Sequence, residues 1–393
     1  MGLLERQILP ELDQLTRQAL HRRLRTIESE HGPRVTYQGR SMLMLSSNNY
    51  LGLASHPALK RAAIAAVQRF GTGSGASRLI AGNLAVLSDL EARLADWKGV
   101  EATLVFGSGY LANLGTIPAL AGPQDVILSD ELNHASLIDG CRLARAQVMV
   151  YRHCDLDHLK ATLVNARGAR RRIIVTDSVF SMDGDIAPLA DIVELARRHD
   201  AAVMIDEAHA VGILGVKGAG LASALNLESE IDVQMGTLSK ALGSYGAYVA
   251  GSRALIDLLI NRARSFVFTT GLPPASAAAA SAAIDLIQAE PERIKRLWDN
   301  GCYLGQGLTA AGFRLGASAT PILPVIVGPA EPALDLADAL LTRNIFVLAI
   351  RPPTVPEGTA RLRVTPTAEH TRADLDEALA AFAASGRETG LIA

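Results

Sequence analysis

"RIIVTDSVFSMDGDIAPLADIVELARRHDAAVMIDEAH", residues 172–209, carries two short apolar runs, each closed by an aspartate, on either side of a helical pattern. "RIIVTD" ends at Asp177, "AAVMID" ends at Asp206, and Leu189 to Arg198 between them reads as a helix. A strand, a crossover helix and a second strand form a βαβ unit, the building block of parallel sheets covered on both faces. The alternation extends in both directions, with strand candidates at "ATLVF", "DVIL", "QVMVY", "IDVQMG" and "GAYVAG". An alanine-rich helix, "PPASAAAASAAIDLIQA", leads to a last section with "PILPVIVG", a helix near Ala333 to Thr342, "NIFVLAI", "ARLRVTP" and a final helix. Upstream, about 30 residues with Leu12, Leu15, Ala19 and Leu20 at helical spacing predict an amphipathic helix, followed by helices at Ala58 to Phe70 and Ala85 to Trp97. The expected organisation is an N-terminal helix and extension over residues 1–50, a large α/β domain over 51–285 and a smaller α/β domain over 286–393.

A chain of 393 residues exceeds the roughly 250–300 at which one core stops growing, in keeping with two domains. Net charge is −2, from 38 Lys and Arg against 40 Asp and Glu, so there is no global basic field and nucleic acid is not an expected partner. Three scattered cysteines, Cys141, Cys154 and Cys302, do not form a disulfide framework and suggest a reducing compartment. The N-terminus is charged throughout and lacks a signal-peptide core. The alanine-rich run carries two prolines, serines and Asp285, which fits a buried helix and not a membrane span. A soluble cytoplasmic protein is expected.

In open α/β sheets, ligands sit outside the carboxyl ends of the strands. The polar residues there are Asp206 with His209, Asp177 with Ser181, and Thr237 with Lys240. Lys240 lies in "GTLSKALGSYGAYVAG", residues 236–251, among glycines, alanines and small hydroxyls. A crowded, partly desolvated amine is suited to a Schiff base with a carbonyl compound or a pyridoxal, and the small neighbours would let a flat ring approach the backbone. The plainer alternative is a snorkelling lysine at a strand end. Asp206 ends a buried strand and needs a cation; a protonated pyridine nitrogen is one, the alternative being a turn cap. "FGSGYLANLG" opens a helix after a strand, so the N–H groups of Gly109 and Tyr110 can face an anion, with the Thr237 and Ser181 hydroxyls at other strand ends.

Other motifs fail. "GTGSGA" and "GSGYLA" do not fit G-x-G-x-x-G, and neither a P-loop nor a G-x-S-x-G elbow occurs. "HCDLDHL" has the composition of a metal cluster, but Asp155 reads as a helix N-cap and the remainder as solvated loop, so no metal is expected. "RGARRR", Arg167 to Arg172, likewise reads as a solvated loop. "AIRPPTVPEGTARLRVT" sets Arg351, Arg361 and Arg363 in a proline-stiffened segment, where they either grip a carboxylate or decorate a surface.

Taken together, "SSNNYLGL", "GTGSGASRLIAGN", "FGSGYLAN", "LNHASLIDG", "VFSMDGDIAPL", "IDEAHAVGILG", "GTLSKALGS" and "RPPTVPEGTARLRVT" occur in the order found in α-oxoamine synthases, and the whole chain resembles that family. Its members are fold-type I pyridoxal 5′-phosphate transferases that condense a small amino acid with an acyl thioester and release carbon dioxide. The resemblance implies a large domain with a mainly parallel seven-stranded sheet, a smaller C-terminal domain, and a homodimer with active sites at the subunit interface. "IRPPTVPEGTARLR" is most similar to the biotin-pathway branch, which uses L-alanine and a pimeloyl thioester carried by coenzyme A or an acyl carrier protein; the alternative is 2-amino-3-ketobutyrate ligase, which uses glycine, or another α-oxoamine synthase.

Carried over by position, Lys240 would hold the cofactor and move the Cα proton, Asp206 would pair with the pyridinium nitrogen, and His209 would bond the phenolic oxygen. His134 would lie over the ring and help bind substrate, and Gly109, Tyr110, Ser181 and Thr237 would place ring and phosphate. Thr270, in "FTTGLPP", would reach the phosphate of the partner subunit. Asn48 and Arg363 would hold the amino-acid carboxylate with Thr354 nearby, and Arg22, or its neighbour Arg23, would meet the acyl substrate. One departure is visible: the family's common Ser-Asn-Asp-Tyr has Asn49 in place of the aspartate. An asparagine that shapes the turn would serve equally, because it makes similar local bonds.

Overall fold

The structure, a computed structural model, describes residues 2–393. It divides into two compact units, residues 48–181 with 185–296, and residues up to Ser47 with 182–184 and 297–393.

The larger unit is built on a seven-stranded sheet. Its strands in chain order are β1 (Ala102–Phe106), β2 (Val126–Asp130), β3 (Gln147–Tyr151), β4 (Arg172–Asp177), β5 (Ala202–Asp206), β6 (Val233–Thr237) and β7 (Ala247–Gly251). They lie in the order β1-β7-β6-β5-β4-β2-β3. All seven coincide with the apolar runs read from the sequence. Only β7 runs against its neighbours β1 and β6; the other pairs are parallel. Residues along β1, β2, β6 and β7 are buried throughout, which is why these strands are continuous apolar runs and do not alternate. The register of β4 on β5 sets Asp177 directly beside Asp206, so two carboxyl groups share the carboxyl edge of the sheet.

The helix Gly109–Leu120 starts at Ser108, whose side chain accepts from the Leu111 N–H. It buries Ala112, Asn113, Gly115, Thr116 and Ile117. A Cβ on Gly115 would lie 2.2 Å from Ser265 Oγ, so a glycine is needed for this close packing. The alanine-rich helix spans Pro274–Ala289 and turns Ala277, Ala280, Ala283, Ile284 and Ile287 inward. Among the described residues no helix is long and apolar enough to cross a membrane.

Next to Asp206, Glu207 is fully buried and pairs with Lys98, which is equally inaccessible. Lys98 also donates to Ala219 O, and Glu207 Oε1 accepts from the Ala222 N–H at 3.0 Å. Gly220, at φ +112°, leaves room for the carboxylate, since a Cβ there would stand 2.5 Å from both of its oxygens. This pair ties the end of helix Ala85–Lys98 to the loop after β5, and nothing in the sequence pattern announced it.

In the smaller unit, strand Ala360–Val364 lies between Leu323–Gly328 and Ala349–Ile350, antiparallel to both. A second sheet joins the hairpin Arg34–Tyr37 and Arg40–Met44 to Ile345–Phe346. The hairpin was not foreseen, although Gln38 and Gly39, both at positive φ (51° and 70°), form the kind of two-residue turn that favours one. "NIFVLAI" is not one strand. Its first half pairs in parallel with Arg40–Met44 and its second half pairs with Ala360–Val364, so the chain changes sheets at Val347 and Leu348. The same parallel pairing ties residues 40–44 to the C-terminal section; residues 2–47 therefore do not stand apart from it, and residues 48–50 belong to the larger unit. The N-terminal helix ends at Arg17, short of Ala19 and Leu20, and Ala19 adopts φ +55°.

Breaking a buried ion pair on one side leaves an unpaired charge in the core, at a cost of about 3–5 kcal/mol. Lys98→Ala is expected to lower stability by roughly that amount in urea unfolding, while Lys98→Met with Glu207→Leu recovers most of the loss. Equal destabilisation by the single and double variants would contradict this account of the pair.

Candidate active site

Asp206 closes β5 at 3% exposure. Its Oδ1 accepts from the Ala208 N–H at 2.9 Å and its Oδ2 from Asn113 Nδ2 at 2.9 Å. A carboxylate has about four lone-pair positions, so two acceptor sites remain for a cation. Asp177, its neighbour on β4, accepts from the His134 N–H at 2.7 Å. Burial, and then the Asp206 charge, push the Asp177 carboxyl well above the usual carboxylate range.

His209 follows on the turn after β5. Lys240 Nζ stands 2.7 Å from His209 Nε2, and His209 Nδ1 stands 2.7 Å from the Tyr50 hydroxyl, which donates to Asn48 Oδ1 at 3.3 Å. The directions agree: the lysine donates to Nε2, the proton of the neutral ring sits on Nδ1, and the tyrosine passes the sequence on to Asn48. Sequence reasoning missed Tyr50 although it lies in "SSNNYLGL"; an aromatic among small residues reads as core, and Tyr50 is indeed fully buried.

Thr237 ends β6. Its Oγ1 donates to Gly246 O at 3.1 Å and meets Ser239 Oγ at 2.7 Å. Gly109 begins its helix close to β6, where a Cβ would lie 3.7 Å from Met235 Cε. The first N–H groups of that helix have no partner within it and carry partial positive charge. Tyr110 is 43% exposed and its hydroxyl donates to Asp139. Ser181 is half-buried in the loop after β4. His134 caps the helix Ala135–Leu143, with Nδ1 accepting from the Ser136 N–H. Its pKa is lowered, chiefly by burial, which outweighs the raising effect of the Asp206 charge, with the Lys240 charge adding a smaller lowering effect.

The small residues around Lys240 have a different reason from the one expected. A Cβ on Gly236 would lie 2.4 Å from the Tyr248 ring, and one on Gly243 (φ +61°) 2.5 Å from Ala54 N. The segment is glycine-rich because it packs against its own chain, and Lys240 is the half-buried group left over that packing.

Thr270 is exposed and pairs with Ser77 in an isolated antiparallel bridge. Asn49 Oδ1 accepts from the Ala54 N–H at 3.1 Å and Asn49 O from the Gly52 N–H at 2.9 Å, so the asparagine closes the turn as an aspartate would.

The remaining predicted residues belong to the smaller unit. Of Arg22 and Arg23, Arg22 reaches Pro352 O at 3.4 Å, and Arg351 donates to Ala19 O. Burial, then the Arg22 charge, lower the Arg351 pKa. Thr354 is exposed, its N–H closing a turn to Arg351 O at 3.1 Å. Arg363 is 7% exposed. Arg361, also buried, is held by Asp183 within its own chain.

"HCDLDHL" is partly corrected. Asp155 is the N-cap of helix Leu156–Asn165, as expected, but His153 is not a solvated loop residue. It bridges Asp130 at 3.0 Å and Asp185 at 2.7 Å. Burial lowers its pKa, but the hydrogen bonds it donates to the two carboxylates, with a further one to Cys154, outweigh this and raise it to about 12, so it is a charged clamp. Asp130, His153 and Cys154 lie close enough to hold an ion, yet the imidazole already has a carboxylate on each nitrogen. "RGARRR" is pinned by Arg170 on Asp125 and Arg172 on Asp200.

A buried carboxylate with spare acceptor sites, an amine and an imidazole 2.7 Å apart, and a helix N-terminus make a donor set that fits pyridoxal phosphate: a cationic ring nitrogen, an aldehyde with an adjacent phenolic oxygen, and a phosphate. Residues 40–382 match the family described as aminotransferase class I and II. The chain is 52% identical to an 8-amino-7-oxononanoate synthase of Geobacter sulfurreducens, over 98% of this chain and 100% of that protein. It is also 52% identical to one of Symbiobacterium thermophilum, over 98% of each. Among solved structures, serine palmitoyltransferase from S. paucimobilis, with PLP and myriocin bound, is similar with a TM-score of 0.94 and 33% identity over the full length of both chains. The fold is that of the fold-type I transferases, and the chain belongs to the aminotransferase class I and II family and, within it, to the 8-amino-7-oxononanoate synthases, which are pyridoxal-phosphate-dependent acyltransferases.

Proposed function

We propose that this protein joins L-alanine to a pimeloyl thioester, releasing carbon dioxide and the free thiol and yielding 8-amino-7-oxononanoate for biotin synthesis. The observation that carries the reading is the Lys240 amine 2.7 Å from His209 beside buried Asp206, in a chain similar over its whole length to synthases of that name.

Bound pyridoxal phosphate supplies an electron sink for negative charge developing at the amino-acid Cα. Lys240 holds it and carries the proton to and from Cα. Asp206, kept in place by Asn113 and the Ala208 N–H, stabilises the protonated ring nitrogen. His209, backed by Tyr50, orients the phenolic side of the ring. Gly109, Tyr110, Ser181 and Thr237 receive the phosphate and the ring edge. His134 covers the ring face; Asn48 and Arg363 take the alanine carboxylate with Thr354 beside them, and Arg22 meets the acyl substrate.

The working form in this reading is a cytoplasmic homodimer. Leu79 (51% exposed), Ile80 (81%) and Phe268 (71%) form an apolar surface around the Ser77–Thr270 bridge. Covering it with a second subunit would carry Thr270 to the neighbouring phosphate site.

Lys240→Ala is expected to abolish turnover in a carbon dioxide release assay and to leave the cofactor removable by dialysis. Unchanged activity would sink the mechanism. Titrating the holoenzyme with L-alanine and with glycine, followed by visible absorbance, should give tight binding of alanine and weak binding of glycine; the reverse preference would move the assignment to a glycine-using acyltransferase. Ile80→Asp should sediment as a monomer and lose most of its activity, and a variant that stays dimeric would place the interface elsewhere.

A further inference from the structure

Three hydrogen bonds connect Asp206 to His134 through two side chains that have not been given a part in the reaction. Asn113 Nδ2 stands 2.9 Å from Asp206 Oδ2 and 2.9 Å from Ser136 Oγ, and Ser136 Oγ stands 2.7 Å from His134 Nδ1. Asn113, Ser136 and Asp206 are 0%, 1% and 3% exposed, so water does not compete along this path.

The proton positions follow from the chemistry of the groups. An ionised carboxylate only accepts, so Asn113 must turn its amide nitrogen to Asp206. The second N–H of that nitrogen points at Ser136 Oγ, which accepts it. The serine hydroxyl is then free to give its own proton to His134 Nδ1. The Ser136 N–H also reaches Nδ1, at 3.3 Å, so that nitrogen receives two donors. The orientation leaves Asn113 Oδ1 buried without a partner. An unpaired buried oxygen is unfavourable, and it persists here because the opposite amide orientation would face an oxygen against the carboxylate.

We propose that Asn113 and Ser136 are positioning residues that lock His134 as the neutral tautomer with its proton on Nε2. Nε2 is then a fixed donor on the exposed side of the ring, suited to an oxygen acceptor such as a carboxylate or a thioester carbonyl. Because the sequence starts at Asp206, ionisation of the group under the ring nitrogen and hydrogen bonding by the group over the ring face are linked. Burial disfavours the imidazolium and outweighs the Asp206 charge, which favours it, while the Lys240 charge adds a smaller effect against it; the net lowering agrees with the neutral ring that the hydrogen bonds require. The part played over the cofactor rests on the proposed function; the tautomer does not.

The test is nitrogen-15 NMR of histidine-labelled holoenzyme near neutral pH, with His134 assigned among the nine histidines by its loss in His134→Gln. The expected spectrum has Nε2 protonated and Nδ1 unprotonated. Protonated Nδ1 or an imidazolium in the wild type would overturn the proposal, with no variant needed. Ser136→Ala should shift His134 to a mixture of tautomers and weaken L-alanine binding, read by absorbance, about tenfold, with the cofactor still bound. Ser136→Thr, which keeps the hydroxyl, should restore both. An unchanged tautomer in folded Ser136→Ala would also overturn it. Failure of the wild type to bind pyridoxal phosphate would instead defeat the proposed function, leaving the tautomer measurable in the cofactor-free protein.

Discussion

A carboxylate buried at the end of a parallel strand is the constraint around which this site is arranged. Asp206 is nearly inaccessible and stands directly beside Asp177 in the register of the sheet. Two charges so placed in a low-dielectric edge would repel strongly, and burial together with the Asp206 charge pushes the Asp177 carboxyl well above the usual carboxylate range. Asp206 is compensated by donors from Asn113 and the Ala208 backbone and has acceptor capacity beyond these two bonds. The arrangement is unfavourable for a fold alone, and in the proposed function a protonated heterocycle opposite Asp206 would offset that cost.

The groups around Asp206 are held by interactions that have no chemistry of their own. The Lys98–Glu207 pair anchors the loop immediately after it, and the Tyr50 hydroxyl backs the His209 ring. Gly236 and Gly243 allow the Lys240 segment to lie against Tyr248 and the Leu53–Ala54 backbone. Preorganisation of this kind is what lets an amine, an imidazole and a carboxylate act together, because each arrives with its rotamer already restricted.

The two units differ in how openly they are written. The strands of the larger unit are buried on both faces and so appear as uninterrupted apolar runs ended by Asp177, Asp206 and Thr237. In the smaller unit, two-residue pairings such as Ile345–Phe346 and Ala349–Ile350 are too short to leave a period, and "NIFVLAI" gives no hint that it changes sheets. The N-terminal segment reads as an appendage because its partner strand lies some 300 residues away in sequence.

Lys240, Asp206 and His209 stand out in the sequence because their residue types are out of place for their surroundings, charge and imidazole at or just past the ends of apolar runs, whereas His134 stands out only through the family resemblance. Asn113, Ser136 and Tyr50 are not, since an asparagine or serine inside a helix and an aromatic in a turn are ordinary there. Their importance comes from partners 93, 23 and 159 positions away, brought within hydrogen-bond distance only when the helices settle on the sheet. Composition and periodicity by themselves determine the layered α/β architecture and its reactive edge, because burial of apolar runs is a local property of the chain. The tertiary structure alone decides which hydrogen-bond partners each imidazole meets and which carboxyl is pushed above its usual range, because those are settled by neighbours distant in sequence acting at close range in a dry interior.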